Sequence, residues 1–314
     1  MASVQKPIVV VGSINIDLVA NAEKIPAAGE TVRGTDFQVH PGGKGANQAV
    51  AVARLGFPVQ LIGKVGTDAF GEQLLSYLQQ TGVDVHAVEK HTGTSGVAII
   101  AVSPDGENSI IVTPGANAQV TPEFLNAHRS TIRNAGIVLA QLEIPIETVE
   151  HLTDLCREEG IPLILDPAPA RALPASMFPR VRWFTPNETE AAFYAAQFTN
   201  EAHESDPVQI ARALLNAGVE NVVLKLGSRG AYLASMNGSS HSIPAFPVKA
   251  VDTTAAGDAY NGAFATALML GMEQNAAARF AAAAAAISVT RSGAQPSMPT
   301  RAEVEALLES GKGT

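Results

Sequence analysis

The segment Asp252-Thr-Thr-Ala-Ala-Gly-Asp258 sets two carboxylates around a run of small residues. The residues that follow (Ala259, Gly262, Ala263, Ala265, Thr266, Leu268 and Met269) recur at helical spacing, which predicts a helix from near Gly257. A small-residue loop feeding a helix N-terminus offers free N–H groups and the positive end of the helix dipole, a setting that suits an anion. Asp258 stands at that terminus, where a carboxylate either caps the helix or serves as a base; for this segment alone the cap is the commoner role.

A second constellation is Pro41-Gly-Gly-Lys-Gly-Ala-Asn-Gln48, a glycine-rich turn that opens a helix at about Gly45, with Lys44 and Asn47 as directed donors. It is not a P-loop, because Gly45 follows Lys44, and not a dinucleotide fingerprint, because Gln48 stands in the place of the last glycine. Asn15 and Asp17 are two apart in an extended stretch and so share one face, which is either a binding face or a solvent face. Glu143, Asp166, Asn187 with Glu190, and the turn Leu226-Gly-Ser-Arg-Gly230 each come directly after an apolar run. Singly, each is either a ligand contact, such as a nucleotide phosphate or ribose at the Leu226–Gly230 turn, or a plain helix cap or turn.

The elements that must position these residues alternate. Pro7–Gly12, Val59–Gly63, Gly136–Ala140, Ile161–Leu165, Arg182–Thr185 and Asn221–Leu226 read as buried, mostly parallel strands. Ala46–Leu55, Phe70–Gln80, Thr121–Asn134, Ile146–Glu159, Glu188–Ala196 and Pro207–Ala217 read as the helices between them, which implies a parallel sheet with helices on both faces. Residues past the carboxyl ends of such strands form the ligand site. Gly29–Val39, and Thr94–Ser103 with Asn108–Thr113 around the turn Pro104-Asp-Gly106, break the pattern and predict a small antiparallel sheet, either a lid or an edge addition.

The chain has 314 residues, 46% apolar and 16% charged, enough for one large α/β domain or two smaller ones. Its net charge of -9 argues against nucleic acid or an anionic membrane as the main partner. Cys156 is the single cysteine, so neither an intrachain disulfide nor a cysteine-based zinc cage can form. Met1–Pro7 runs into the first strand without a signal-peptide core, and Ala276–Val289 is too short to span a bilayer, so a cytoplasmic protein is expected.

Together, Gly42-Gly-Lys-Gly-Ala-Asn47 and Asp252–Asp258 resemble the two signatures of the PfkB carbohydrate-kinase family. Val11-Gly-Ser-Ile-Asn-Ile-Asp17, Ala140-Gln-Leu-Glu143, Thr185-Pro-Asn-Glu-Thr-Glu190, Leu226–Gly230 and Thr290-Arg-Ser-Gly-Ala-Gln-Pro-Ser297 extend the likeness, in order, over essentially the whole chain. The resemblance implies a single kinase domain over residues 1–314. Its fold would be a three-layer α/β/α sandwich with a mostly parallel central sheet and a small antiparallel β-sheet lid from about 15–40 and 94–113. The implied reaction is ATP-dependent phosphorylation of D-ribose at O5, giving D-ribose 5-phosphate and ADP, with Mg²⁺, an activating monovalent cation (K⁺) and a homodimer formed through the lid.

By the same resemblance Asn15, Asp17, Gly43, Lys44, Gly45, Asn47 and Glu143 line the sugar site, and Asp258 is the base. The amides of Ala255, Ala256 and Gly257 form an anion hole. Asn187, Lys225, Gly227, Ser228, Arg229 and Gly230 face the nucleotide, and Glu190 orders the magnesium-water network. Asp252, Thr254, Ser288, Arg291, Gly293 and Ser297 hold the monovalent cation, largely through backbone carbonyls. Two positions depart from the family pattern: Ala255 replaces a frequent glycine, and Lys225 replaces a small hydroxyl residue. Two alternatives stand beside this reading. One is a kinase of the same family acting on deoxyribose, a nucleoside or another small sugar; the other is a catalytically silent sugar-binding protein, which would not require a base at Asp258.

Overall fold

The computed structural model describes residues 5–198 and 206–310; residues 1–4, where the reading of the N-terminus began, lie outside the described residues. In chain order the strands are β1 (Ile8–Val11), β2 (Asn15–Ala22), β3 (Gly34–Gly42), β4 (Val59–Gly66), β5 (Val88–His91), β6 (Gly96–Val102), β7 (Asn108–Thr113), β8 (Ile137–Ala140), β9 (Leu163–Leu165), β10 (Trp183–Phe184), β11 (Asn221–Lys225), β12 (Ala231–Ser235) and β13 (Ser240–Ile243). The helices are α1 (Lys44–Arg54), α2 (Ala69–Gln80), α3 (Pro122–Ala127), α4 (Arg129–Arg133), α5 (Ile146–Glu158), α6 (Glu188–Ala195), α7 (Pro207–Asn216), α8 (Ala256–Met269), α9 (Gln274–Ser288) and α10 (Arg301–Ser310). The stretch expected as one helix over Thr121–Asn134 is two, divided at His128.

The large sheet runs β13-β12-β11-β10-β9-β8-β1-β4-β5. It is parallel from β5 to β11 and antiparallel only at β12 and β13. Successive side chains of a strand point to opposite faces. Accordingly Ile8, Val10, Leu139 and Val223 enter one core, with α1, α2, α8, α9 and α10, while Val9, Val11, Val138 and Leu224 enter the other, with α3 to α7. Each fully buried aliphatic side chain contributes about 1.5–3 kcal/mol relative to exposure, so both faces must be covered, and three layers result.

Strand order reverses at β1, which pairs with β4 on one side and β8 on the other. Chain segments leaving β1 and β8 diverge there, and the crevice beyond their carboxyl ends is where ligands bind in such sheets. A second sheet, in the order β3-β2-β6-β7, grows from that end. Its outer pairs are antiparallel, and β2 and β6 run parallel at its centre.

One contact inside the first core matters for function. A side chain at Gly262 would meet Ala51 Cβ at 2.6 Å and Gln48 O at 2.9 Å, so α8 and α1 touch backbone to backbone. That approach delivers Asn47 and Gln48 to the start of α8. Among the described residues no helix is long and apolar enough to cross a membrane.

Candidate active site

Asp258 sits in the first turn of α8 and is 3% exposed. Its carboxylate accepts hydrogen bonds from Asn47 Nδ2 at 2.9 Å and Gln48 Nε2 at 3.1 Å, and no side chain caps the helix. The cap reading is therefore not what the fold uses. Burial raises the Asp258 pKa to about 6, with Asp166 adding to the rise and Lys44 working against it. A carboxylate poised there can take up a proton near neutral pH.

The turn before Asp258 has an unusual backbone. Ala255 is the one non-glycine residue at positive φ among the described residues (φ 58°). A β-carbon in that region costs roughly 1–2 kcal/mol, which explains why a glycine would fit the position. Ala256 N–H already donates to Thr253 O at 3.2 Å. Of the three amides expected to form an anion hole, Ala255 and Gly257 have no acceptor among the described residues. The structure thus reduces the set to two.

The glycines of the first motif serve the protein as much as any ligand. A β-carbon on Gly42 would meet Asp17 Oδ2 at 2.2 Å, one on Gly43 would meet Asn15 N at 2.7 Å, and one on Gly45 would meet Gly12 C at 2.6 Å. The turn is thus pressed against the β1–β2 connection, bringing Lys44 and Asn47 alongside Asn15 and Asp17. Glu143 closes this side, its Oε2 accepting Ser13 Oγ at 2.5 Å and Lys44 N–H at 3.1 Å. Burial, then Glu143, then Asp258 push the Asp17 pKa up to about 6. Burial disfavours charge on Lys44, but Asp258, Asp166, Glu143 and Glu190 together hold it above the ordinary lysine value. Lys44 is therefore a permanent cation at the centre of the site.

A cavity of about 660 Å³ opens on the other side of Lys44 and Asp258. Gly257, Lys225, Asn187, Glu190, Gly227, Ser228 and Gly230 give it a polar end, and Phe246, Ala282 and Ala286 belong to its apolar wall. Asn187 caps α6 in a capping box with Glu190, and both face the cavity. Burial raises the Glu190 pKa while Lys225 opposes the rise. Arg229 departs from expectation: its guanidinium turns to Glu188, outside the cavity.

Lys225 Nζ pairs with Asp166 Oδ1 at 2.8 Å and lies 3.2 Å from where a β-carbon on Gly257 would stand, directly at the start of α8. The other Asp166 oxygen accepts Gln48 Nε2 at 2.9 Å, so Lys225, Asp166, Gln48 and Asp258 form one chain. Gln141 Nε2 extends it to Gln48 Oε1 at 2.6 Å. Gln295 Nε2 holds Asn47 Oδ1 at 3.0 Å. Of these, Gln48, Gln141 and Gln295 were not assigned a site role from sequence, although Gln48 sits inside the glycine motif.

At the expected cation site, Asp252 accepts Thr254 N–H at 2.9 Å and Gly293 N–H at 2.8 Å, joining the two loops. Burial works against the Asp252 charge, but these hydrogen bonds bring its pKa below the usual value. Ser288 Oγ and Ser297 Oγ donate to Ala285 O and Ala294 O, and the Arg291 guanidinium pairs with Glu303. The Arg291 side chain is thus turned to α10, and its main-chain N–H donates to Ser288 O at 3.1 Å, so only its carbonyl could face a ligand. Among the described residues no cluster of three or more His, Cys, Asp or Glu side chains suits a metal.

Comparison with known proteins finds relatives along nearly the whole chain. The pfkB family carbohydrate kinase model matches residues 5–301. The chain is 45% identical to ribokinase of Bacillus subtilis over 302 residues, covering 96% of this chain and 99% of that one. It is 37% identical to deoxyribokinase of Salmonella typhi, covering 93% and 95%. The structure of Arabidopsis thaliana ribokinase complexed with ribose and ATP superposes with a TM-score of 0.90 at 36% identity, covering 98% of this chain and 99% of that one. With the family model spanning nearly its whole length, the chain belongs to the pfkB family of carbohydrate kinases.

Proposed function

We propose that the protein transfers the γ-phosphoryl group of ATP to O5 of D-ribose, giving D-ribose 5-phosphate and ADP. The observation that carries this reading is the place of Asp258, buried where the Asn15–Asp17 face meets the large cavity. Ribose lies against Asn15, Asp17, Gly43, Gly45, Asn47 and Glu143, and ATP fills the cavity, with its base against Phe246, Ala282 and Ala286. As O5 attacks the γ-phosphorus, its proton passes to Asp258; the O5–P bond forms and the bond from the γ-phosphorus to the bridging oxygen of ADP breaks. The Ala255 and Gly257 amides, the α8 dipole, Lys44 and Lys225 face the charge that collects on the phosphoryl oxygens. Lys225, which stands where a small hydroxyl residue was expected, acts here as a phosphate cation.

Mg²⁺ entering with the nucleotide supplies charge neutralisation of the phosphates. Glu190 fits the role of ordering its waters, since it lines the cavity and one of its oxygens is fixed by Asn187 N–H at 2.8 Å. The tie from Asp252 to Thr254 and Gly293 fits a site where K⁺ is held by carbonyl oxygens beside the anion hole. The small sheet closes over the sugar and keeps water from competing as acceptor. It also pairs two protomers: Phe37, Ile99, Ile110, Ile111 and Val112 are exposed apolar side chains on it. Residues 1–314 act as one kinase domain in the cytoplasm.

A coupled ADP-release assay over ribose, 2-deoxyribose and nucleosides tests the reaction. Ribose is expected to exceed 2-deoxyribose in kcat/KM by about tenfold or more, because loss of one hydroxyl leaves a charged acceptor at Asp17 unpaired. Equal specificity constants for the two sugars, or a preference for a nucleoside, would reassign the acceptor.

A further inference from the structure

Asn117 lies in the 3-10 turn Gly115–Gln119, 1% exposed, and spends its whole side-chain amide on residues 14 and 15. Its Oδ1 accepts the Ile14 N–H at 2.9 Å. Its Nδ2 donates to Ile14 O at 3.2 Å and to Asn15 Oδ1 at 2.7 Å. A backbone N–H can only donate and a backbone carbonyl can only accept, so the two Ile14 contacts leave Asn117 one orientation. Its remaining hydrogen must then meet an acceptor, which forces Asn15 to turn Oδ1 toward Asn117. The Asn15 Nδ2 is left over and takes no partner among the described residues. Asn15 shares its strand face with Asp17, an acceptor when ionised.

We infer that Asn117 is a positioning residue that sets the hydrogen-bond polarity of the sugar site, by fixing Asn15 as a donor beside the Asp17 acceptor. The inference rests on the reading of Asn15 and Asp17 as sugar-binding residues. A hydroxyl between such a pair gives its one proton to Asp17 and accepts from Asn15, so both of its roles are used. Were Asn15 flipped, the same hydroxyl would face two acceptors with one proton, and one contact would be lost. Gly96 pairs with Asn15 across the β2–β6 ladder. A β-carbon there would stand 2.2 Å from both Asn117 Nδ2 and Asn15 Oδ1, so the bare backbone at Gly96 leaves room for the contact that sets the polarity.

The test measures KM for ribose, KM for ATP, kcat and thermal stability in Asn117→Asp, Gly96→Ala, Asn15→Ala and the Asn15→Ala/Asn117→Asp double variant. At pH 8 an ionised Asp at 117 still accepts from Ile14 but cannot donate, so Asn15 turns its Nδ2 inward and offers Oδ1 to the sugar. Gly96→Ala wedges the same pair apart without adding charge, and it decides the matter if Asn117→Asp does not fold. KM for ribose is expected to rise about tenfold or more in each single variant, the scale of one unmade hydrogen bond at a buried group, with KM for ATP within about twofold. In the Asn15→Ala background, Asn117→Asp is expected to add little. If Asn15→Ala raises the ribose KM while Asn117→Asp and Gly96→Ala do not, or if the Asn15 and Asn117 effects simply add, the polarity role is overturned. If Asn15→Ala itself leaves the ribose KM unchanged, the placement of the sugar fails first, and with it the inference.

Discussion

Asp17 and Asp258 are carboxylates held in a setting that disfavours their charge, Asp17 most strongly through burial and then through its acidic neighbours. For stability the sign is as follows. The folded-state pKa of Asp17, about 6, is above the ordinary 3.8, so the folded form keeps a proton that the unfolded chain has already lost between those values. The favourable contribution is present below the unfolded value and is lost as pH rises through the folded one. At pH 8 the ionised side chain is therefore a liability to folding, one that a sugar hydroxyl donating to it would relieve. Asp17→Asn is expected to raise the melting temperature by a few degrees at pH 8 while raising the ribose KM roughly 10-fold or more. In the native enzyme the ribose KM should climb as pH falls through 6, and in Asp17→Asn it should be flat over that range. Calorimetry and initial-rate kinetics across pH 5–8 check both halves; a variant that loses stability at pH 8 and keeps its ribose KM contradicts the assignment.

At the scale of elements, the glycine turn with α1 and the small-residue loop with α8 were legible because each motif joins a local backbone requirement to a helix start. Gly43 (φ 87°) and the αL residue Ala255 are the positions where those turns need unusual dihedrals. The supporting polar chain was not legible. Gln48 follows Ala46 and Asn47 on a helix and looks like any polar helical residue until α8, some 210 positions on, supplies its acceptor. Asn117 gave no signal either, being an asparagine among alanines in a loop. Edge strands were missed for a different reason: Val88-Glu-Lys-His91 has too few apolar residues to show a period. The β12–β13 hairpin does carry a signal, the Asn237-Gly238 turn with φ 88° at Gly238, but the strands on either side of it are short and were not among the expected ones. Helix α10 likewise begins with a Thr300–Glu303 capping box. The Asp252 loop leads to a prediction at this scale. K⁺ should raise turnover several-fold over a matched buffer containing only a large organic cation, and Asp252→Ala should remove the response, since the carboxylate ties the loops at Thr254 and Gly293 together. A flat K⁺ titration of the native enzyme at fixed Mg²⁺ would remove the cation site from the account.

The whole molecule is a division of labour between two sheets. The nine-stranded sheet presents its carboxyl-end crevice, and the four-stranded sheet β3-β2-β6-β7, entered by the chain directly after β1, carries Asn15 and Asp17. Exposed apolar side chains on that smaller sheet, above all Ile111 on the edge strand β7, need cover that a second protomer would give. Sedimentation at assay concentration should show a dimer that Ile111→Lys converts to monomer; a native monomer would remove the dimer. The central claim is that the two sheets bring a sugar hydroxyl and a phosphoryl group together at one buried carboxylate. Its most direct test is Asp258→Asn, which keeps the size of the side chain and its helix-starting competence but cannot accept the proton. Turnover of ribose and ATP is expected to fall by about 10²–10⁴-fold or more, while calorimetric binding of ribose and of a non-hydrolysable ATP analogue stays within a few-fold of native. A folded Asp258→Asn enzyme with near-native turnover would contradict the account.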